Sequence, residues 1–241
     1  MITSVDNPRV KEVVRLRSSR ERRRRGLFLA EGPREVERAR AAGLTVVATY
    51  FAPALIEWPG GEEVSERVLA KMAYRAEPEG VLAVVQIPQR DMPPDATLIL
   101  IAVGIEKPGN LGAMARTADA AGVDALLIGD ANADPWNPNA IRASTGAVFT
   151  LPIAEVTLDD VRALSLQKIA AVVDAPRRYT EADLTRPSAF IVGSEDEGLD
   201  DAWRTLANEN VSIPMNPRTA DSLNAATSAG VLLFEAVRQR G

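Results

Sequence analysis

Downstream of residue 96, short apolar segments alternate with segments of helical periodicity, and this alternation constrains the fold more than any other feature. Apolar strands that alternate with helices of roughly 10–15 residues predict an α/β domain with a mostly parallel sheet. Ligands of such sheets bind beyond the carboxyl ends of the strands. The predicted strands are residues 97–104, 124–129, 168–173, 189–192 and 211–214, and the predicted helices are residues 111–121, 158–166, 199–208 and 222–240.

The N-terminal part of the chain has its own set of predicted elements. Strands are expected at residues 26–30, 44–51 and 81–87, and a helix at residues 33–42, which begins with proline and stops at a glycine. The segment PQRDMPPD that follows breaks all periodicity and is typical of a linker. We therefore expect a small α/β domain at residues 1–90 and a larger domain at residues 91–241.

The composition excludes several kinds of catalytic site, because none of the 241 residues is cysteine or histidine. Disulfides, thiolate nucleophiles and zinc fingers cannot form, and no imidazole is available as a general base. Any chemistry must come from carboxylates, hydroxyls, amides, lysine, arginine, the backbone or a cofactor.

Positive charge is concentrated near the N-terminus. Nine Lys or Arg residues lie between Arg9 and Arg25 against two glutamates, a local charge of +7 in a chain whose net charge is −5. Such a run is typical either of a solvated, salt-bridged helix face or of a nucleic-acid-binding segment, which clustered cations favour through counterion release. The remainder of the chain carries −12, and this asymmetry favours the second interpretation.

Neither a secretory signal nor a membrane span is predicted. The first residues, MITSVDNPRVKEVV, contain no apolar core of a signal peptide. The longest apolar run is far shorter than the ~20 residues that a spanning helix needs. A cytoplasmic protein is therefore expected.

Three polar loops follow predicted strands. In the first, Asn110 is placed to cap the following helix, and Arg116 lies six residues later. The glycine spacing does not match a P-loop, because Gly109 is not followed by Lys-Ser or Lys-Thr.

The second loop, GSEDEG at residues 193–198, carries three carboxylates between two glycines. They could bind Mg²⁺, hold a substrate hydroxyl, or merely precede a helix N-terminus, which favours negative charge. The third segment runs from Ile213 to Asn224, and Ser222 is the expected N-cap of the last helix.

Three segments follow one another along this part of the chain: EKPGNLG with Arg116, IVGSEDEGL, and IPMN followed by SLNAATSAGVLLFEAVRQR. In their order and spacing they resemble the three motifs of the SpoU/TrmH family. These proteins are S-adenosylmethionine-dependent RNA ribose 2′-O-methyltransferases of the SPOUT class. The resemblance covers residues 97–240, and the preceding part is similar to the L30e-like substrate-binding domain of ribosomal-RNA members. The chain departs from the family in motif three, which commonly reads SLNVS, because Ala226 stands in place of the second serine.

The resemblance implies a deep trefoil knot, a homodimer and an arginine that works at the subunit interface. It implies an active site that contains Asn110, Arg116, Glu195, Ser222 and Asn224. It implies that the cofactor S-adenosylmethionine is held by Gly193, Ile213, Met215 and Leu223.

We expect Arg116 to stabilise the attacking ribose oxygen, since a guanidinium holds its proton too tightly to be a good base. The two-domain layout and the basic segment between Arg9 and Arg25 favour ribosomal RNA, 23S rRNA in particular, over tRNA. Two other classes stay open: an inactive RNA-binding or ribosome-assembly factor of the same fold, and a Mg²⁺-dependent phosphate-ester enzyme that uses the carboxylates at residues 195–197.

Overall fold

The computed structural model describes residues 1–216, 219 and 221–241. The chain forms two compact units, one of Met1–Gln89 with Asp134–Thr150 and one of Arg90–Ala133 with Leu151–Gly241. The first stretch of the first unit thus ends at Gln89, one residue before the predicted boundary. The segment Asp134–Thr150, which we expected in the second domain, packs instead with the first unit.

Helices and strands follow one another along both parts of the chain. Up to residue 89 they are α1 (Pro8–Arg15), α2 (Ser19–Arg25), β1 (Leu27–Glu31), α3 (Pro33–Ala41), β2 (Val46–Phe51), β3 (Glu62–Glu63), α4 (Glu66–Met72) and β4 (Val81–Gln86). From residue 90 they are β5 (Leu98–Val103), α5 (Pro108–Ala120), β6 (Ala125–Gly129), α6 (Pro138–Ser144), β7 (Ile153–Val156), α7 (Leu158–Ala163), β8 (Gln167–Ala171), β9 (Ser188–Val192), α8 (Asp201–Leu206), β10 (Glu209–Val211) and α9 (Ala225–Arg240).

The first unit contains a four-stranded sheet in the order β1-β4-β2-β3. β4 pairs antiparallel with β1 and β2, and the short β3 pairs parallel with β2. One face of this sheet packs against α1 and α4, whose buried residues include Val10, Val13, Val68 and Leu69. The helices α1, α2 and α4 were not predicted from the sequence.

The segment Asp134–Thr150 joins the first unit through an aromatic cluster and a buried ion pair. The ring of Phe28 on β1 lies 5.0 Å from that of Trp136 and 5.6 Å from that of Phe149. Arg22 is only 1% exposed, and its Nε and Nη2 lie 2.7 and 2.5 Å from Oδ2 of Asp134. Its Nη1 also donates to the carbonyl of Leu16 at 2.8 Å. Arg22 is therefore part of the interior of this unit.

Much of the remaining charge of the basic segment is paired within the unit. Arg24 and Arg25 hydrogen-bond to Glu21 and lower the pKa of that carboxyl to about 2. Other pairs are Arg9–Glu62, Lys11–Asp6, Arg15–Glu12 and Arg25–Glu12. The salt-bridged helix face that we weighed as one interpretation is thus present, and side chains such as Arg20 and Arg24 are also exposed.

The second unit contains a six-stranded sheet in the order β10-β8-β9-β5-β6-β7, and all of its strand pairs are parallel. This confirms the predicted α/β fold with a mostly parallel sheet. The central strands β5 and β9 are buried on both faces, as their uninterrupted apolar sequences require. Helices α5 and α9 pack against each other. Within the described residues, no helix is long and apolar enough to cross a bilayer.

The carboxyl end of α9 is anchored by side chains to the segment before β9. Arg240 Nε donates to the carbonyl of Leu184 at 2.8 Å, and Gln239 Oε1 accepts from the N–H of Leu184 at 2.9 Å. Glu235 accepts from Arg238 at 2.8 and 2.7 Å and from Gln239 at 2.9 Å, and these bonds lower its pKa to about 2.

We expect Arg22→Met to lower the free energy of unfolding by about 3–5 kcal/mol, because it leaves the buried carboxylate of Asp134 uncompensated. Arg24→Met removes an exposed pair with Glu21 and should cost about 1 kcal/mol or less. Urea titrations of both variants measure the difference. Equal losses would show that the ion pair is not buried as described.

The pKa of Glu235 predicts a pH dependence. The stabilisation from its ionised form should be complete above the ordinary value of 4.5 and lost as the pH falls towards about 2. The difference in unfolding free energy between the wild type and Glu235→Gln should therefore shrink on acidification, from about 1 kcal/mol or less at neutral pH. Urea titrations from about pH 3 to about pH 7 test this, and a difference independent of pH would contradict it.

Candidate active site

A cavity of about 430 Å³ lies in the second unit beside the loops that leave the carboxyl ends of β8, β9 and β10. Parallel pairing brings these ends to one edge of the sheet, as expected for this fold class. The volume is within the range of about 300–1,000 Å³ that is typical of small-molecule and cofactor sites. The lining residues include Val172, Asp174, Gly193, Ser194, Glu195, Leu199, Arg204, Ile213, Met215, Ser222, Leu223 and Ser228.

The loop after β9 turns back on itself at Gly193. A Cβ on this glycine would overlap the carbonyl carbon and oxygen of Gly198, so no other residue fits without movement of the backbone. The N–H of Gly198 donates to the carbonyl of Ser194 at 3.1 Å and closes the turn. This turn presents Glu195 between the two glycines.

One carboxylate oxygen, Oε1 of Glu195, connects the three polar segments that the sequence singles out. It accepts from Nδ2 of Asn110, and from Nδ2 of Asn224 at 2.9 Å. The backbone N–H of Ala225 approaches it at 3.4 Å. Charged acceptors form stronger hydrogen bonds than neutral ones, so this oxygen holds the loops after β5 and β9 and the start of α9 together.

Two of the expected helix caps are wrong. The last helix begins at Ala225, and its N-cap is Asn224 rather than Ser222, with Oδ1 accepting from the N–H groups of Ala226 at 3.0 Å and Thr227 at 3.3 Å. Helix α5 begins at Pro108, so Asn110 lies inside its first turn. An N-cap must precede the first helical residue, and this leaves the amide of Asn110 available for Glu195.

The other candidate residues fall into two groups. Those expected to hold the cofactor, Gly193, Ile213, Met215 and Leu223, all line the cavity, together with Ser222. Arg116 does not lie among the described lining residues. It is exposed on α5, and within the described part of the chain no hydrogen bond or ion pair engages its side chain.

The polar residues that follow β8 were not predicted from the sequence. Asp174 lines the cavity and pairs with Arg204 of α8 at 2.6 Å. The adjacent Trp203 is 1% exposed and donates through Nε1 to Oδ2 of Asp130, at 2.7 Å, beyond the end of β6. Helix α8, which follows the Glu195 turn, is thus attached by side chains to the segments that follow β8 and β6. One feature of the sequence could have indicated Asp174 as a cavity residue, namely its position directly after an apolar predicted strand.

The lining combines apolar side chains with polar groups that are mostly acidic. Five carboxylates, those of Asp174, Glu195, Asp196, Glu197 and Asp221, face one guanidinium among the described lining residues. Such a lining favours a ligand that combines an apolar or aromatic part with positive charge.

Residues 97–234 match the SpoU rRNA Methylase family, and residues 7–83 match the MRM3-like substrate binding domain. The first match covers more than half of the chain. The chain belongs to the SpoU rRNA methylase family.

Relatives in this family match the chain along nearly its whole length. The 23S rRNA (guanosine(2553)-2′-O)-methyltransferase RlmP of Bacillus subtilis is 30% identical over 97% of both chains. An uncharacterised tRNA/rRNA methyltransferase of Synechocystis is 35% identical over 99% of this chain and 94% of its own. Among solved structures, the SpoU methyltransferase AviRb of Streptomyces viridochromogenes, in complex with the cofactor AdoMet, is 31% identical with a TM-score of 0.86, over 97% of this chain and 98% of its own.

The two roles of Asn224, capping α9 and donating to Glu195, can be separated. Asn224→Ala should lower the free energy of unfolding by about 1 kcal/mol through loss of the cap. Asn224→Asp keeps a capping oxygen but places two carboxylates together, so it should disturb the Glu195 cluster more than the helix. Urea titration and calorimetric binding of S-adenosylhomocysteine measure the two effects. Wild-type binding by Asn224→Asp would contradict a role of this contact at the cavity.

Proposed function

We propose that this protein transfers a methyl group from S-adenosylmethionine to a ribose 2′-hydroxyl of 23S ribosomal RNA. The observation that carries the proposal is the Glu195 cluster, which joins the three family motifs beside a cofactor-sized cavity. The family membership and the full-length relatives named as rRNA 2′-O-methyltransferases support the same reaction.

The cavity fits S-adenosylmethionine in size and charge. Its apolar side chains, such as Val172, Leu199 and Leu223, suit an adenine ring, and its carboxylates suit the positive sulfonium and amino groups. When bound, the cofactor supplies an electrophilic methyl group. We propose Gly193, Ile213, Met215 and Leu223 as residues that hold it, since all four line the cavity.

The protein's own residues then have to orient the ribose and stabilise the charge on its 2′-oxygen. Glu195 positions the amides of Asn110 and Asn224, and Ser222 offers a hydroxyl at the cavity wall. Arg116 supplies a guanidinium that stabilises the developing alkoxide and binds the adjacent phosphate. A guanidinium remains protonated at neutral pH, which suits a stabilising role better than that of a base.

The position of Arg116 supports a homodimer in which it serves the site of the other subunit. It is exposed on α5 and does not line the cavity of its own chain, within the described residues. Helix α9, which packs on α5, exposes Phe234 (49%) and Val237 (37%), and large exposed apolar side chains are typical of interfaces. We propose that these helices form the interface.

Two further family features belong to this proposal. The first is a trefoil knot, supported by the way the start of α9 returns to the Glu195 turn, with Ala225 N–H near Oε1 of Glu195. The second is a role in rRNA processing in the cytoplasm, where ribosomal RNA is a substrate for soluble enzymes. The exposed cations between Arg9 and Arg25 would contact the RNA backbone.

The alternatives are less well supported. A tRNA substrate is suggested by the TrmH/SpoU tRNA modifying enzyme of A. aeolicus, whose structure covers only 61% of this chain with a TM-score of 0.51. An inactive RNA-binding factor would have no need for the intact Glu195 cluster. A Mg²⁺ site at Glu195 conflicts with its Oε1, which accepts N–H donors from Asn110 and Asn224 rather than facing an open cation site.

Methyl transfer can be tested directly. The protein is incubated with methyl-labelled S-adenosylmethionine and, separately, with unmodified 23S rRNA, 16S rRNA and tRNA, and the 2′-O-methyl position is mapped. We expect label in 23S rRNA, and a loss of at least about 100-fold in rate for Glu195→Ala, of the size typical when a preorganised site loses a key group. Label confined to tRNA would replace the substrate, and no label with any RNA would favour the inactive factor.

The shared site predicts complementation between two inactive variants. Arg116→Ala and Glu195→Ala should each be inactive, and a mixture refolded or co-expressed as a heterodimer should regain activity at one of its two sites. Arg116→Lys should remain impaired, because an ammonium lacks the planar fork of donors. If the mixed dimer stays inactive while both parents dimerise, Arg116 does not act across the interface.

A further inference from the structure

Tyr74 is an exposed aromatic side chain of the first unit that none of the functions above uses. It lies between α4 and β4, and 40% of its surface is exposed. Its backbone N–H donates to Oε1 of Glu31 at 2.6 Å, and the next N–H, that of Arg75, donates to Oε2 at 3.2 Å. Glu31 is only 5% exposed. A buried carboxylate thus holds the backbone from which the ring projects.

A small, narrow depression of the same unit, of about 10 Å³, is lined by Tyr74 together with Asn139 and Arg142 of α6, so these side chains lie close together. That volume holds about one water molecule, and a larger ligand would lie over these side chains rather than enter the depression. Nη2 of Arg142 donates to Oδ1 of Asn139 at 2.9 Å, and Arg142 is exposed. A guanidinium has five N–H donors, and this bond uses one of them. The depression therefore combines an aromatic ring with a side-chain amide and an oriented guanidinium.

The charges around the depression differ in how they are paired. Arg34 pairs with Glu35 at 2.9 Å, and Arg75 pairs with Glu79. No carboxylate pairs with Arg142 in the described part of the chain. The guanidinium of Arg142 is therefore available to an anion, although two carboxylates, those of Glu31 and Glu35, also line the depression.

An aromatic ring, an amide and the guanidinium of Arg142, with its remaining donors, around one depression match the chemistry of an unpaired nucleotide. Bases stack on aromatic side chains, amides bond to base edges, and arginine binds phosphate. We propose that Tyr74, Asn139 and Arg142 bind one unpaired nucleotide of the RNA, with the base on Tyr74 and a phosphate on Arg142. The inference rests on the proposed function in taking RNA as the substrate, and it adds a recognition site separate from the basic segment.

Nucleotide binding at this site is tested with the full chain and two probes, a 23S rRNA transcript and a fluorescein-labelled single-stranded RNA of mixed sequence. The variants are Tyr74→Ala, Tyr74→Phe and Arg142→Ala. Arg67→Ala is the matched control, because Arg67 is an exposed arginine of the same unit outside the depression. Thermal melts and S-adenosylhomocysteine binding show that each variant is folded.

We expect Tyr74→Ala to weaken binding of the single-stranded probe by about 5-fold or more, as loss of one stacked base does, and Tyr74→Phe to bind within about 2-fold of the wild type. Tyr74→Ala should leave the salt dependence unchanged. Arg142→Ala should reduce the slope of log K against log salt by about 0.7, the value for one phosphate of a single strand. Arg67→Ala should change neither affinity nor slope.

The outcomes separate this inference from the proposed function. If Tyr74→Ala binds RNA as the wild type does, or if Arg67→Ala and Arg142→Ala weaken binding equally, the nucleotide site is overturned, whatever the methylation assay shows. If the wild type binds the probe through Tyr74 but transfers no methyl group, the proposed activity fails and the site stands.

Discussion

Parallel pairing of β8, β9, β5 and β10 determines where the chemistry of this protein can lie. Each of these strands runs in the same direction, so the loops after them emerge at one edge of the sheet. The central strands β5 and β9 are themselves buried and apolar and carry no chemistry. Polar residues that are far apart in the chain, such as Asn110 and Glu195, meet there because the strands before them are neighbours in the sheet.

At that edge a single carboxylate oxygen joins three segments of the chain. Oε1 of Glu195 engages the amide of Asn224, and the same asparagine caps the helix that packs against α5. The position of α9 and the shape of the cavity mouth therefore depend on each other. The methyl-transfer site that we propose here needs neither histidine nor cysteine, because the cofactor brings the electrophile and the protein contributes orientation and charge.

Several features followed from the sequence, and the misses have identifiable physical causes. The parallel sheet was predicted because its central strands β5, β6 and β9 are uninterrupted apolar runs. The edge strand β7, which contains a glutamate, was not predicted, and neither were α1 and α2, whose sequences are highly charged. The basic segment was interpreted as one cationic surface, yet Arg22 is buried against Asp134, a residue 112 positions away. No local pattern distinguishes an arginine that pairs in the interior from its exposed neighbours. The caps were misplaced by two or three residues because Asn110 and Ser222 are good capping residues by type, and residue type alone does not show where each helix begins in the folded chain.

The sequence by itself determined the fold class, the family and the identity of the polar residues that the chemistry can use, because hydrophobic periodicity and motif order are local properties of the chain. Only the tertiary structure decided which of those residues meet. It placed Asn110, Glu195 and Asn224 on one oxygen and left Arg116 exposed on α5. It also assigned Asp134–Thr150 to the first unit and Tyr74 to a depression with Arg142. These are contacts between residues distant in sequence, and they depend on the packing of whole elements, which no local pattern encodes.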